Sequence, residues 1–173
     1  ISTMLDGHDP NMAIVLDRHW NVVASNAATT RFMAWVFAEP PGWIEPPPNL
    51  MRLVFHPEGL RTRMRAWEET ASAMLRRLER DVAIHPSDGD LARLFVEIRA
   101  YPGVADLGPR TGPADADDLL LTTTYVVDGL PVSLFTTIAV IGDAHDLTLS
   151  ELRIETFWPA DRDSAERWEA RFG

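Results

Sequence analysis

The pair Asp128-Gly129 constrains the fold more than any other feature of the chain. It stands between two runs of β-branched and aromatic residues, 119–127 and 130–141. Asp-Gly in that setting is a strong hairpin signal, because both residues accept the positive φ that a type I′ turn requires. The two runs are therefore expected as antiparallel neighbours. A second pair is expected near the start. MAIVLD from Met12 reaches a polar turn at Asp17, Arg18 and His19, and Asn21-Val22-Val23-Ala24-Ser25 follows. A last strand alternates Leu152, Ile154, Thr156 and Trp158 with Glu151, Arg153, Glu155 and Phe157, which assigns it one mostly polar face. Two strands alone are marginal, so the first pair and the last three are expected to meet in one sheet.

Four helices are expected between the second and third strands. Asn26 is placed to cap AATTRFMAWVF, accepting an orphan backbone N–H. Residues 39–48 hold Pro40, Pro41, Gly42, Pro46, Pro47 and Pro48 and read as a rigid loop. Asn49 then caps a short helix, LMRLVFH, which Pro57 terminates. Pro57 suits the first position of a long helix over 58–83. There Leu60, Met64, Trp67, Ala71, Met74, Leu75, Leu78 and Val82 fall within an arc about 100° wide, with every arginine outside it. Ser87 with Asp90 resembles a capping box for a helix ending near Tyr101-Pro102. Residues 102–118, rich in Gly, Pro and Asp, read as a loop, and Asp161 caps a terminal helix, RDSAERWEARF. An antiparallel sheet with its helices on one face is an α+β domain, and residues 1–173 read as a single one.

Composition narrows the function. The 173 residues carry 26 acidic against 16 basic side chains, a formal charge of −10, with no cysteine. Thiol catalysis, iron–sulfur clusters and cysteine zinc sites are thereby excluded. A chain of this charge is repelled by nucleic acid phosphate, so it is not expected to bind DNA by itself. No apolar run approaches the roughly 18–20 residues of a membrane span, and no secretory segment opens the chain. A cytoplasmic location is expected. The first residue is isoleucine, which suggests a piece of something longer.

No nucleophile elbow, zinc-protease helix, P-loop or dinucleotide-binding glycine motif occurs. His8, His19, His56, His85 and His145 have no helical i, i+4 pairing, and turn residues are the reading adopted for them. The arginines of the long helix alternate with Glu68, Glu69 and Glu79, as on a solvated face. The expectation is no enzyme, no cofactor and no metal. More informative are six Trp, seven Phe and six Met. Trp35, Phe55, Met64, Trp67, Met74, Tyr125 and Phe135 lie on elements expected to cover or form the inner face of the sheet. Soft and planar side chains of this kind line apolar ligand cavities, and the same residues serve equally as plain core.

DRHWNVVASNAA, NLMRLVFHPEGLRTR, the long helix, DLARLFVEIRAYP and DLTLSELRIETFWPAD together resemble the MmyB-like ligand-binding domain of bacterial transcription regulators, in an actinobacterial variant. The resemblance runs from about residue 8 to 165. It implies a PAS-like fold: a five-stranded antiparallel sheet with helices inserted between strands 2 and 3. It also implies a sensor of a small apolar molecule such as a fatty acyl chain. In the family an N-terminal helix-turn-helix of the lambda-repressor-like (xenobiotic response element) class precedes the domain, so DNA would be reached only through that segment, missing from this chain. Asn49 and Arg52 match the family's recurrent Asn and Arg, and Trp67 its tryptophan on the long helix. Asn49 as a helix cap and Arg52 as a tie to a neighbouring carboxylate are the structural alternative. With no membrane partner expected, a second copy of the chain is a further candidate partner, as in a PAS-like dimerisation module with no small ligand. A small isomerase-like enzyme would need a carboxylate on the inner sheet face, where the alternation does not put Glu155.

Overall fold

The computed structural model describes residues 1–107, 121–140 and 152–173. The sheet has six strands in the order β2-β1-β6-β5-β4-β3, every neighbouring pair antiparallel. They are β1 (Ala13–Leu16), β2 (Val22–Ser25), β3 (Met64–Arg65), β4 (Thr122–Val127), β5 (Leu130–Val140) and β6 (Arg153–Pro159). Among the described residues the helices are α1 (Ser2–Asp6), α2 (Ala27–Val36), α3 (Leu50–Phe55), α4 (Trp67–Ile84), α5 (Gly89–Ala100) and α6 (Arg162–Phe172). The α+β class holds. The expected meeting of the first pair with the last three strands occurs where β1 pairs with β6.

The hairpin forms as its sequence demands: Asp128 and Gly129 both have positive φ, 50° and 83°. Three caps also form where expected. Asn26 Oδ1 accepts from the Thr29 N–H, Asn49 Oδ1 from Met51 and Arg52, and Asp161 from Ser164. His56, the residue before Pro57, leaves the helical region with ψ 137°, which ends α3.

Two local expectations are corrected. The helix over 58–83 is not continuous. Leu60–Arg63 is a 3-10 turn, Met64–Arg65 pairs with Tyr125 and Thr124 of β4, and α4 begins only at Trp67 after Ala66 turns left-handed at φ 51°. This sixth strand makes the sheet larger than the five expected. Leu60 and Met64 fit the helical arc because they face the same interior that α4 covers. The unpaired backbone groups of the β4 edge, a contact remote in sequence, take the segment out of the helix. The second correction concerns α5, whose cap is Asp88 accepting from Asp90 and Leu91, not Ser87. Part of the 102–118 loop, with Leu119, Leu120, Ile141, His145 and Glu151, lies outside the described residues.

The sheet is buried on both faces over its β1–β6 centre. Met12, Ile14 and Leu16 face the helical side and join the main core with Leu53, Val54, Trp67, Leu75 and Leu78. Ala13, Val15 and Ile154 point the other way and pack against Leu5 of α1. The β2 edge is closed by the end of the proline-rich loop, through Val22 N–H to Pro48 O at 2.8 Å and Leu50 N–H to Trp20 O at 2.8 Å.

Candidate functional site

Between the sheet and α2, α3 and α4 lies a cavity of about 410 Å³, within the size range of small-molecule sites. The sheet contributes Ile14, Tyr125 and Phe157, with Met12 just ahead of β1, and the helices Phe32, Met33, Leu53, Val54, Thr70 and Met74. The proline-rich loop supplies Pro40, Ile44 and Pro48. That loop is pinned by Trp43, whose ring stacks on His56 with centroids 4.0 Å apart. The lining is mainly hydrocarbon and thioether, so what it can do chemically is desolvate an apolar body.

Few polar groups break this wall. Thr70 and Thr123 hydroxyls lie 3.2 Å apart and satisfy each other. Burial holds the Tyr125 hydroxyl well above its ordinary value. Glu155 is the surprise. Alternation along the last strand assigned it to a polar face, yet it is 2 % exposed and lines the cavity. The correction has a physical cause. With α1 covering one side of the β1–β6 centre and the helices the other, neither face of that strand is open to water, so polar and buried no longer alternate. Arg77 Nη2 stands 3.6 Å from Glu155 Oε1. Burial pushes the Glu155 carboxyl up, opposed by the charges of Arg77 and then Arg153.

That shift has a measurable consequence. A carboxyl whose folded value lies above the ordinary 4.5 binds its proton more tightly in the folded chain. Its contribution to stability therefore falls as pH rises from about 4.5 through the folded value, and is constant above it. Glu155→Gln removes this slope. In denaturant titrations across that window the variant is expected to gain on the parent by up to about 1.4 kcal/mol per pH unit. Parallel curves would contradict the burial of this carboxyl.

Of the residues expected to line a ligand site, Met64, Met74 and Tyr125 are on the cavity wall. The others are elsewhere. Trp35 packs against Phe32 and Phe172, with Arg63 over its ring at 5.1 Å. Phe55 and Trp67 meet edge to face, and the Trp67 indole N–H donates to Val54 O at 3.0 Å. Phe135 is corrected outright. Its neighbours Leu134 and Thr136 face inward, so it points to the opposite side of the sheet beside Trp158, half-buried.

Asn49 and Arg52 are both engaged by the protein itself, away from the cavity wall. Asn49 Nδ2 donates to His19 O and Asn21 Oδ1 while its Oδ1 caps α3. Arg52 makes two 2.8 Å bonds to Glu97, whose carboxyl they hold below its usual range. Asn49→Ala should therefore cost about 1–2 kcal/mol. Arg52→Ala should cost less than about 1 kcal/mol, because both partners are more than a third exposed. Thermal unfolding of the two variants checks the order, and neither is expected to change ligand affinity.

Sequence reasoning missed Trp20 and Trp168, both fully buried. Each indole N–H finds a remote acceptor, Trp20 on Asp81 and Trp168 on Pro10 O. Only such long-range contacts would have marked them. His19, Asp88 and Asp90 come close enough to suggest a cation site. However, Asp88 already accepts from two backbone N–H groups and pairs with His19 at 3.0 Å.

The site is thus an apolar volume held between an antiparallel sheet and the helices that cover it. The chain belongs to the MmyB-like transcription regulator ligand binding domain family, whose model matches residues 1–170. It is thus the ligand-binding domain of a transcription regulator. No curated protein matches it. Among the described residues no helix is long and apolar enough to cross a membrane.

Proposed function

We propose that the domain senses an apolar effector with a fatty-acyl-like chain, taken up between the sheet and α2, α3 and α4. The observation that carries this reading is the 410 Å³ cavity whose wall is built from Met12, Met33, Met64, Met74, Phe32 and Phe157. Flexible methionines accommodate chains of differing shape. In this reading the effector biases a helix-turn-helix domain of the xenobiotic response element class elsewhere in the parent protein. It does so by favouring one packing of α4, which carries Met74 and Arg77 on the cavity wall. The acidic charge of −10 keeps the domain itself off DNA phosphate. Solvent extraction of purified protein followed by mass spectrometry tests the reading. A co-purifying acyl compound is expected, and a chain free of any, together with indifference to added fatty-acyl compounds, would sink it.

The buried Glu155 favours a second reading, a small isomerase-like enzyme with that carboxyl as general acid or base. It predicts that an added ligand is converted, so recovery of the bound compound unchanged separates the two. A dimerisation module without a ligand predicts a stable dimer by light scattering, insensitive to any acyl compound.

A further inference from the structure

Among the described residues, Glu155 is the one cavity-lining side chain with a buried polar atom that has no hydrogen-bond partner. Its Oε1 is shielded from solvent, and the nearest cation, Arg77 Nη2 at 3.6 Å, is beyond hydrogen-bond reach. Buried carboxylate oxygens are normally matched by donors, and one left without is costly. The other polar groups of the wall do not supply the match: Thr70 and Thr123 bond each other, Thr29 donates to Ala13 O, and Ser25, Thr30, Tyr125 and Thr136 make no hydrogen bond to Oε1.

We propose that Glu155 and Arg77 recognise the head of the effector, and that this head is a neutral group which both donates and accepts a hydrogen bond, an amide or a hydroxyl, in preference to a free carboxylate. The inference rests on the reading of the cavity as an apolar ligand site. An amide N–H or a hydroxyl donates to Glu155 Oε1, while the same head offers an oxygen to the Arg77 guanidinium. A carboxylate offers acceptors only. It would satisfy Arg77 and set a second anion against Glu155 in surroundings of low dielectric, where like charges repel strongly. The rest of the wall, Ile14, Met33, Leu53 and Phe157 among it, is indifferent to the head and holds the chain.

The experiment compares dodecanamide, 1-dodecanol and dodecanoic acid at neutral pH by displacement of a fluorescent apolar dye from the full chain. The amide and the alcohol are expected to bind at least about tenfold more tightly than the acid. Glu155→Gln, which replaces the carboxylate by an isosteric group with its own donor, should narrow that gap by improving the acid. Acid binding as tight as the amide in the parent chain would overturn the inference while leaving the cavity reading standing. A preference unchanged in Glu155→Gln would also overturn it. If none of the three displaces the dye, the cavity reading itself fails. The comparison in the parent chain requires no variant to fold.

Discussion

Replacing Trp20 by alanine is expected to destabilise the domain by about 3–5 kcal/mol, a large share of the total stability of a single domain. Trp20 occupies the turn between β1 and β2 at a left-handed φ of 67°, a conformation that bulky residues rarely adopt. Its burial is complete and joins three elements. The indole N–H donates to Asp81 Oδ2 of α4 at 3.0 Å, and the Arg153 guanidinium of β6 lies 4.2 Å over the ring. Arg153 in turn holds the same Asp81 oxygen at 3.0 Å. Truncation opens a void and leaves the Asp81 carboxylate with fewer donors. Trp20→Phe separates the two contributions, because it keeps most of the ring and loses the N–H; its cost should be nearer about 1.5–3 kcal/mol. Denaturant unfolding of both variants decides. Equal losses would mean that the hydrogen bond to Asp81 carries the whole effect.

The second large effect concerns the cavity. Met74→Trp sets a rigid indole where α4 faces the apolar volume, and it should lower the affinity for any acyl ligand by at least about tenfold, equivalent to about 1.4 kcal/mol. Overpacking a filled core costs about 1–3 kcal/mol, but here the added ring has space to occupy. The melting temperature should therefore change little. Met33→Trp does the same from α2 on a different part of the wall, and the two variants agreeing would tie the loss to filled volume. Unchanged affinity in both, with the fold intact, would place the ligand elsewhere.

What was legible in the sequence was local. Asn26, Asn49 and Asp161 cap helices because capping needs only backbone N–H groups two or three residues on. The Asp128-Gly129 turn fixed the hairpin for the same reason. Contacts remote along the chain were illegible. The pairing of Met64–Arg65 with β4 cannot be inferred from a segment that also satisfies a helical arc. Glu155 was assigned to water because alternation presumes that the polar face of a strand is the wet one, whereas Ile154 faces Leu5 of α1 and Glu155, on the opposite face, is turned into the cavity beneath the helices. The aromatic and methionine supply announced an apolar interior. Whether a given ring lines a void or fills it depends on partners such as Phe172 for Trp35 and Val54 O for Trp67, which spacing does not encode. Thus Met64, Met74 and Tyr125 reached the wall and Trp35, Phe55, Trp67 and Phe135 did not.

The methionines also offer the most direct test of the central claim, that the apolar volume between sheet and helices is where a ligand binds. Met12, Met33, Met64 and Met74 line it, whereas Met4 is exposed on α1 and Met51 is buried away from it in α3. In a methyl-labelled sample titrated with dodecanamide and, separately, dodecanoic acid, at least one of the probes should shift the methyl resonances of Met12, Met33, Met64 and Met74. Met4 and Met51 should stay in place. Shifts confined to Met4 or Met51, or none with either probe at saturating concentration, would contradict the account.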